Sequence, residues 1–99
     1  GRSATAEYFG ISGLDEARAY LAHPVLGPRL RECSTLVVAV EGRTAEQIFG
    51  YPDVLKVRSC MTLFARAGAD NDVFTAVLDT LYADFPGGRE DPATLRLLG

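Results

Sequence analysis

Apolar residues recur at helical spacing along most of the chain, and Gly and Pro interrupt the pattern at short intervals. Leu14, Ala17 and Leu21 are three or four residues apart, which predicts a first amphipathic helix. Ser12 is its expected N-cap. His23-Pro24 should end this helix, because a proline disfavours the α conformation of the residue before it.

A longer apolar stripe predicts a second helix that begins around Gly27-Pro28 and ends at Gly42. The β-branched run within residues 35–40 makes a strand the alternative. We favour the helix because the stripe extends well upstream of that run. Its members, expected to face the core, are Leu26, Leu30, Cys33, Val37 and Val40.

Two further helices are predicted in the middle of the chain. Thr44 and Gln47 form the pattern of a capping box and predict a short helix that ends at Gly50. Pro52-Asp53 predicts the start of a central helix, which Gly68 should end. The expected core face of this central helix consists of Val54, Val57, Met61, Phe64 and Ala65.

The last two predicted helices complete an all-α pattern. Asn71 is the expected N-cap of a helix whose apolar face consists of Phe74, Val77, Leu78, Leu81 and Tyr82. After a turn at Pro86-Gly87-Gly88, Asp91-Pro92 has the residue types of an N-cap and first helical position. Because the connections are short, residues 1–99 are predicted to form a compact single domain of five to six short amphipathic helices.

Composition narrows the class of protein. Hydrophobic residues make up 47% and charged residues 23% of the chain, which is typical of a globular protein. The net charge of −3 and the scattered arginines, which we expect on a solvated surface, argue against nucleic acid as a partner. The longest apolar run, Leu36–Val40, is far shorter than the ~18–20 residues of a membrane span. Without a signal-peptide pattern, these features predict a cytoplasmic protein with no membrane partner.

The cysteines and the single histidine do not predict a cofactor or a metal. Cys33 and Cys60 lack the spacing of a metal or redox motif, so both are interpreted as reduced, buried thiols. His23, as the sole histidine, makes a zinc site built from protein ligands alone improbable. We interpret it as a turn residue with a hydrogen-bonded ring.

Four residues are candidates for a binding site: Tyr8, Asp53, Lys56 and Ser59. Lys56, the only lysine, and Ser59 are three residues apart and share a face of the central helix. This pair could bind an anionic ligand or activate a serine nucleophile. The alternative is structural: the Lys56 stem covers the core, Ser59 fits a tight helix contact, Asp53 caps the helix and Tyr8 is a core residue.

Several sequence blocks resemble domain of unknown function 1810, a family of uncharacterised bacterial, mycobacterial-type hypothetical proteins. The blocks are Tyr8–Ser12, Glu16–Leu21, His23–Leu30 with Glu32-Cys33, Ile48–Gly50 with Pro52-Asp53, Lys56–Phe64, and Asp91-Pro92 with Thr94-Leu95. The resemblance implies a mainly helical fold and no established activity. It also implies that the chain corresponds to the C-terminal two-thirds of the family's domain and lacks an N-terminal segment that could complete a site. The family usually has serine at the position of Cys60.

Three functions remain open from the sequence. The first is binding of a small anionic or nucleotide-like ligand in a cleft beside the helix that carries Lys56 and Ser59. The second is a structural or protein-interaction module, such as a homodimer that buries an apolar patch. The third is an enzyme that acts on ADP-ribose-like nucleotide sugars. It rests on a loose similarity to helical ADP-ribose-processing domains, which lies in the pattern of Lys56, Met61 and Phe64 and in the following helix with Phe74 and Leu78.

Overall fold

The computed structural model describes residues 13–67 and 72–98, and every regular element in these residues is an α-helix. The prediction of an all-α fold is therefore confirmed, and the alternative of a strand near residues 35–40 is excluded. The six helices are α1 (Leu14–Ala22), α2 (Leu26–Val38), α3 (Ala45–Phe49), α4 (Asp53–Ala67), α5 (Asp72–Leu81) and α6 (Pro92–Leu98). None of these helices is long and apolar enough to cross a membrane.

Local side-chain chemistry sets several of the helix ends. The predicted capping box is present at α3: the Gln47 backbone N–H donates to Thr44 Oγ1 over 3.1 Å, and the Thr44 backbone N–H donates to Gln47 Oε1 over 2.8 Å. Gly50, with a φ of 75°, ends α3 as predicted. The ring of His23 is hydrogen-bonded as expected, because its Nδ1 accepts from the backbone N–H groups of Val25 and Leu26, each over 3.1 Å.

Other predicted ends differ or fall outside the described residues. Helix α2 ends at Val38 rather than at Gly42, because the Val40 N–H bonds to the Val37 carbonyl over 3.1 Å and tightens the last turn. Gly42 lies in the following loop with a φ of 72°. Gly13 is the N-cap of α1 and makes no side-chain capping bond. The predicted boundary residues Ser12, Gly68 and Asn71 lie outside the described residues.

Helix α4 is the centre of the fold, in contact with α1, α3, α5 and α6. Nine of its fifteen residues are buried, so the buried surface of this helix is wider than the predicted core face of five residues. The aromatic core joins three helices: the ring centroids of Phe64 and Phe74 are 5.7 Å apart, and those of Tyr20 and Phe64 are 5.5 Å apart. The buried Tyr82 hydroxyl donates to the Val54 carbonyl over 2.8 Å. These contacts connect α1, α4, α5 and the residue after α5.

The predicted core face of α2 is only partly covered. The buried residues of α2 are the small ones, Gly27 and Ser34. A Cβ atom at Gly27 would lie 2.1 Å from the Leu21 carbonyl oxygen, so glycine allows the close approach of α2 to α1. Close packing through small residues leaves the apolar stripe at the edge of the core. Leu26, Cys33 and Val40 are exposed, and Leu30 and Val37 are half-buried.

Candidate functional site

The partly covered face of α2 forms one wall of an open groove with a volume of about 390 Å³. Residues of α3 and α4 also line the groove, as does Val77 of α5. The described lining residues are Leu30, Cys33, Ser34, Val37, Ile48, Phe49, Asp53, Lys56, Val57, Cys60, Met61 and Val77. Ten of these twelve residues are uncharged, so the groove is a largely apolar site.

Two of the four predicted site residues, Asp53 and Lys56, lie together in this groove. Asp53 is exposed in the first turn of α4, where its negative charge interacts favourably with the positive end of the helix dipole. Lys56 follows by three residues and is half-buried. Of the described residues in the lining, these two carry the charges. They give an apolar groove one cationic and one anionic side chain.

Ser59 lies elsewhere, although it is only three residues from Lys56. It is 3% exposed, and its hydroxyl donates to Asp91 Oδ2 over 3.0 Å. The structure therefore places Ser59 between α4 and the start of α6, in the tight helix contact that was the structural alternative. Tyr8, the fourth predicted residue, lies outside the described residues.

The partner of Ser59 is the centre of a hydrogen-bond network that attaches α6 to α4. Asp91 Oδ2 also accepts from the Thr94 backbone N–H over 3.0 Å and from Thr94 Oγ1 over 2.6 Å. The Asp91 backbone N–H donates to Thr62 Oγ1 over 3.0 Å. Asp91 is thus the N-cap that the sequence predicts. Because these groups satisfy one another and are poorly exposed, we assign the network a structural role.

Arg58 completes this network, and the prediction that it lies on the solvated surface was wrong. It is 6% exposed; its Nη2 donates to the carbonyls of Gly88 over 2.6 Å and Glu90 over 3.3 Å. Its Nη1 is 3.8 Å from Asp91 Oδ1, and its guanidinium carbon is 4.9 Å from the Phe85 ring centroid. A charge can be buried here because a carboxylate, two carbonyls and an aromatic face surround it.

A signal for the burial of Arg58 was present in the sequence. Arg58 lies four residues after Val54 and three before Met61, both of which belong to the predicted core face of α4. Helical spacing thus placed the arginine on that face. Composition alone suggested a surface residue, since arginine is rarely buried without a partner.

The two cysteines border the same groove but differ in their environments. Both are unpaired thiols. Cys60 is 3% exposed, and burial raises its pKa well above the ordinary value. Cys33 is exposed on α2. The prediction of buried thiols is therefore confirmed for Cys60 and wrong for Cys33, because α2 packs through Gly27 and Ser34 instead.

Comparison with known proteins places the chain in a family without assigning it an activity. No curated protein matches it. The chain is similar to a crystal structure of the conserved hypothetical protein Rv1873 from Mycobacterium tuberculosis, with 54% sequence identity and a TM-score of 0.84. That similarity covers 99% of this chain and 67% of the mycobacterial chain. The DUF1810 family, described as a protein of unknown function, matches residues 1–98. The chain therefore belongs to the DUF1810 family.

Proposed function

We propose that this domain binds a small, largely apolar molecule with one negatively charged group in the groove between α2, α3 and α4. The observation that carries the proposal is the lining itself, in which ten of twelve described residues are uncharged and one is a lysine. The groove volume of about 390 Å³ lies near the lower end of the range for ligand pockets. The proposed ligand is therefore small.

The proposal assigns different parts of the ligand to different residues. Half-buried apolar side chains, including Leu30, Val37 and Phe49, would cover the body of the ligand, which gains free energy as apolar surface leaves water. Lys56 would pair with the charged group at the rim, where the adjoining protein lowers the effective dielectric. Asp53, one turn earlier on α4, would repel additional negative charges and so favours a monoanion.

The same lining gives less support to a nucleotide sugar as the ligand. A pyrophosphate group needs several cationic or N–H donors around it. Lys56 is the sole basic residue among the described lining residues, and Asp53 adds a negative charge. An enzyme that acts on ADP-ribose-like molecules is therefore a weaker hypothesis than an apolar monoanion site. A cytoplasmic location, which the sequence predicts, fits the two unpaired thiols.

Calorimetry with octanoate and octanol tests the proposal, because these two probes share an apolar chain and differ in charge. We expect Lys56→Gln to weaken octanoate binding about fivefold, equivalent to about 1 kcal/mol, and to leave octanol binding unchanged. Arg96→Gln is the matched control, since it removes a positive charge from an exposed position on α6, outside the groove lining. The proposal would be contradicted if Lys56→Gln lowered the affinities for octanoate and octanol equally, or if octanoate did not bind to the unsubstituted protein.

A homodimer is the second candidate function, and one observation favours it. Leu36 on α2 is 63% exposed and Tyr51, before α4, is 74% exposed. Where such side chains form one contiguous exposed patch, they mark a surface at which proteins associate. Sedimentation equilibrium tests the candidate: a dimer that dissociates on Leu36→Glu substitution supports it. A mass that stays monomeric at high protein concentration excludes it.

A further inference from the structure

We propose that His23 acts as a pH-sensitive switch for the α1–α2 corner, defined as residues 19–27. The neutral ring of His23 holds the turn that leads into α2, and protonation of the ring releases that turn. This inference goes beyond the proposed ligand site and does not depend on it, because His23 lies outside the groove lining.

The backbone of His23 is bonded to both helices of the corner. Its N–H donates to the carbonyl of Ala19 over 3.1 Å and to that of Tyr20 over 3.2 Å, at the end of α1. Its carbonyl accepts from the Gly27 N–H over 3.1 Å, at the start of α2. A φ of −63° and a ψ of 131° give His23 the extended backbone that is typical of an N-cap. His23 therefore ends α1 and also caps the turn that leads into α2.

The ring of His23 supplies the side-chain acceptor of this cap. Its Nδ1 accepts from the backbone N–H groups of Val25 and Leu26, each over 3.1 Å. An imidazole nitrogen accepts only while it carries no proton, so the two bonds specify a neutral ring with its proton on Nε2. Protonation of Nδ1 would turn an N–H group toward two other N–H groups and remove both bonds. It would also place a positive charge at the positive end of the α2 dipole.

Release of the ring affects the first turn of α2 more than the rest of the helix. His23 is exposed, so a protonated ring can rotate into water. The N–H groups of Val25 and Leu26 would then lose their acceptor, because N–H groups at a helix start have no partner within the helix. The remainder of α2 packs against α1 and α5 and does not need this cap to stay in place. We therefore expect local fraying of residues 24–27.

The charged groups of the surrounding helices do not hold the ring in its protonated form. None of the described residues forms an ion pair with His23. Arg18 on α1 donates to the Ala67 carbonyl, and Arg29 adds a further positive charge to the first turn of α2. On α4 and α5, which pack against α1 and α2, the charged side chains that have partners or border the groove are Asp53, Lys56, Arg58, Arg66 and Asp79. The pH dependence is therefore assigned to the His23 ring and its two N–H donors.

Acid should weaken the corner. In an unfolded chain an imidazole takes up a proton near pH 6.5. The folded corner with both ring bonds excludes this proton from Nδ1, so below about pH 6.5 the unfolded state binds more protons than the folded state. The stabilisation by the two ring bonds is therefore present above about pH 6.5 and lost as the pH falls below it.

Urea unfolding of two His23 variants at about pH 8 and about pH 5 tests the inference. Asparagine at an N-cap offers an acceptor that does not titrate, whereas alanine offers none. We expect His23→Ala to raise the unfolding equilibrium constant about fivefold at the higher pH, the typical effect of a lost N-cap, and not to raise it at the lower pH. His23→Asn should match the unsubstituted protein at the higher pH and unfold about fivefold less at the lower pH.

Amide hydrogen exchange in the unsubstituted protein shows whether the release is local. On acidification, the amides of Val25 and Leu26 should lose protection, while the amide of Phe64 in the core should keep it. Nitrogen-15 spectra of the ring keep the inference testable if a variant does not fold, because they report the position of the ring proton. We expect that proton on Nε2 at about pH 8.

Three results would overturn the switch. The first is a neutral ring with its proton on Nδ1, which could not accept the two backbone bonds. The second is an effect of His23→Ala on the unfolding equilibrium constant that is equal at both pH values. The third is a parallel loss of protection at Val25 and Phe64, which would mean that acid unfolds the whole domain rather than the corner.

Discussion

Arg58 shows how a single residue connects the core to a distant part of the chain. Its side chain reaches from α4 to the carbonyls of the turn before α6 and to the carboxylate of Asp91. Burial of its charge costs free energy, and the surrounding acceptors offset that cost only while all of them stay in place. Removal of Arg58 would leave the Gly88 and Glu90 carbonyls without this donor and Asp91 without its cationic partner, although Asp91 Oδ2 would keep its bonds from Ser59 and Thr94.

We therefore expect Arg58→Ala to lower the free energy of unfolding by about 3 kcal/mol, the range observed when one partner of a buried charge pair is removed. Urea unfolding followed by circular dichroism measures this change. Arg96→Ala, on the exposed side of α6, should change stability by less than about 0.5 kcal/mol and serves as the control. Equal stabilities of the two variants would show that the Arg58 network contributes little.

Burial of the Cys60 thiol makes the stability of the protein depend on pH. The pKa of this thiol in the folded protein is raised above the ordinary value of 9.0 by burial. Above about pH 9 the unfolded chain releases the thiol proton of Cys60, whereas the folded protein keeps it. The unfolded state therefore binds fewer protons than the folded state. Stability should therefore fall as the pH rises above about 9, with a slope of up to about 1.4 kcal/mol per pH unit from this group.

The contribution of Cys60 can be separated from that of Tyr82, whose pKa burial also raises from an ordinary 10.0. Urea unfolding between about pH 7.5 and about pH 10 measures the slope. Cys60→Ala should remove the loss of stability that begins near pH 9, whereas Cys33→Ala should keep it. A profile that is the same in both variants would contradict the assignment.

At the scale of helices, small residues determine how α2 packs and thereby create the groove. Gly27 and Ser34 are the buried residues of this helix, while the apolar stripe lies beside them. The Ser34 hydroxyl donates to the Leu30 carbonyl over 2.8 Å and lies 3.9 Å from the Met61 sulfur. Helix α2 therefore approaches its neighbours through glycine and serine, and its larger side chains stay at the edge.

Gly27→Ala tests this account of the packing. In an exposed helix the substitution would stabilise the protein by up to about 1 kcal/mol. Here the added Cβ would meet the Leu21 carbonyl oxygen at 2.1 Å, so we expect destabilisation of about 1–3 kcal/mol instead. Gly13→Ala is the control, because among the described residues no atom beyond its chain neighbours lies within 4 Å of its added Cβ. A stabilised Gly27→Ala variant would contradict the close approach of α1 and α2.

For the whole molecule, helical periodicity and end signals predicted the fold well. The capping box at Thr44, the stop at Gly50 and the N-cap at Asp91 depend on residues close in sequence, so local rules sufficed. The groove depends on which face of α2 meets α1. The face that contains Gly27 does so because glycine is small, and not because that face is the most apolar one. Asp53 and Lys56, three residues apart in the sequence, both border the groove. It could not show that Ser59 bonds to Asp91, because that contact spans 32 residues.

Amide chemical shifts during an octanoate titration test whether the groove between α2, α3 and α4 binds the proposed ligand. We predict that shift changes concentrate at groove residues such as Leu30, Ile48 and Val57 and reach saturation, while Thr94 in the α6 network stays unchanged. Changes centred on α6, changes spread evenly over the surface, or no changes at all would contradict the account.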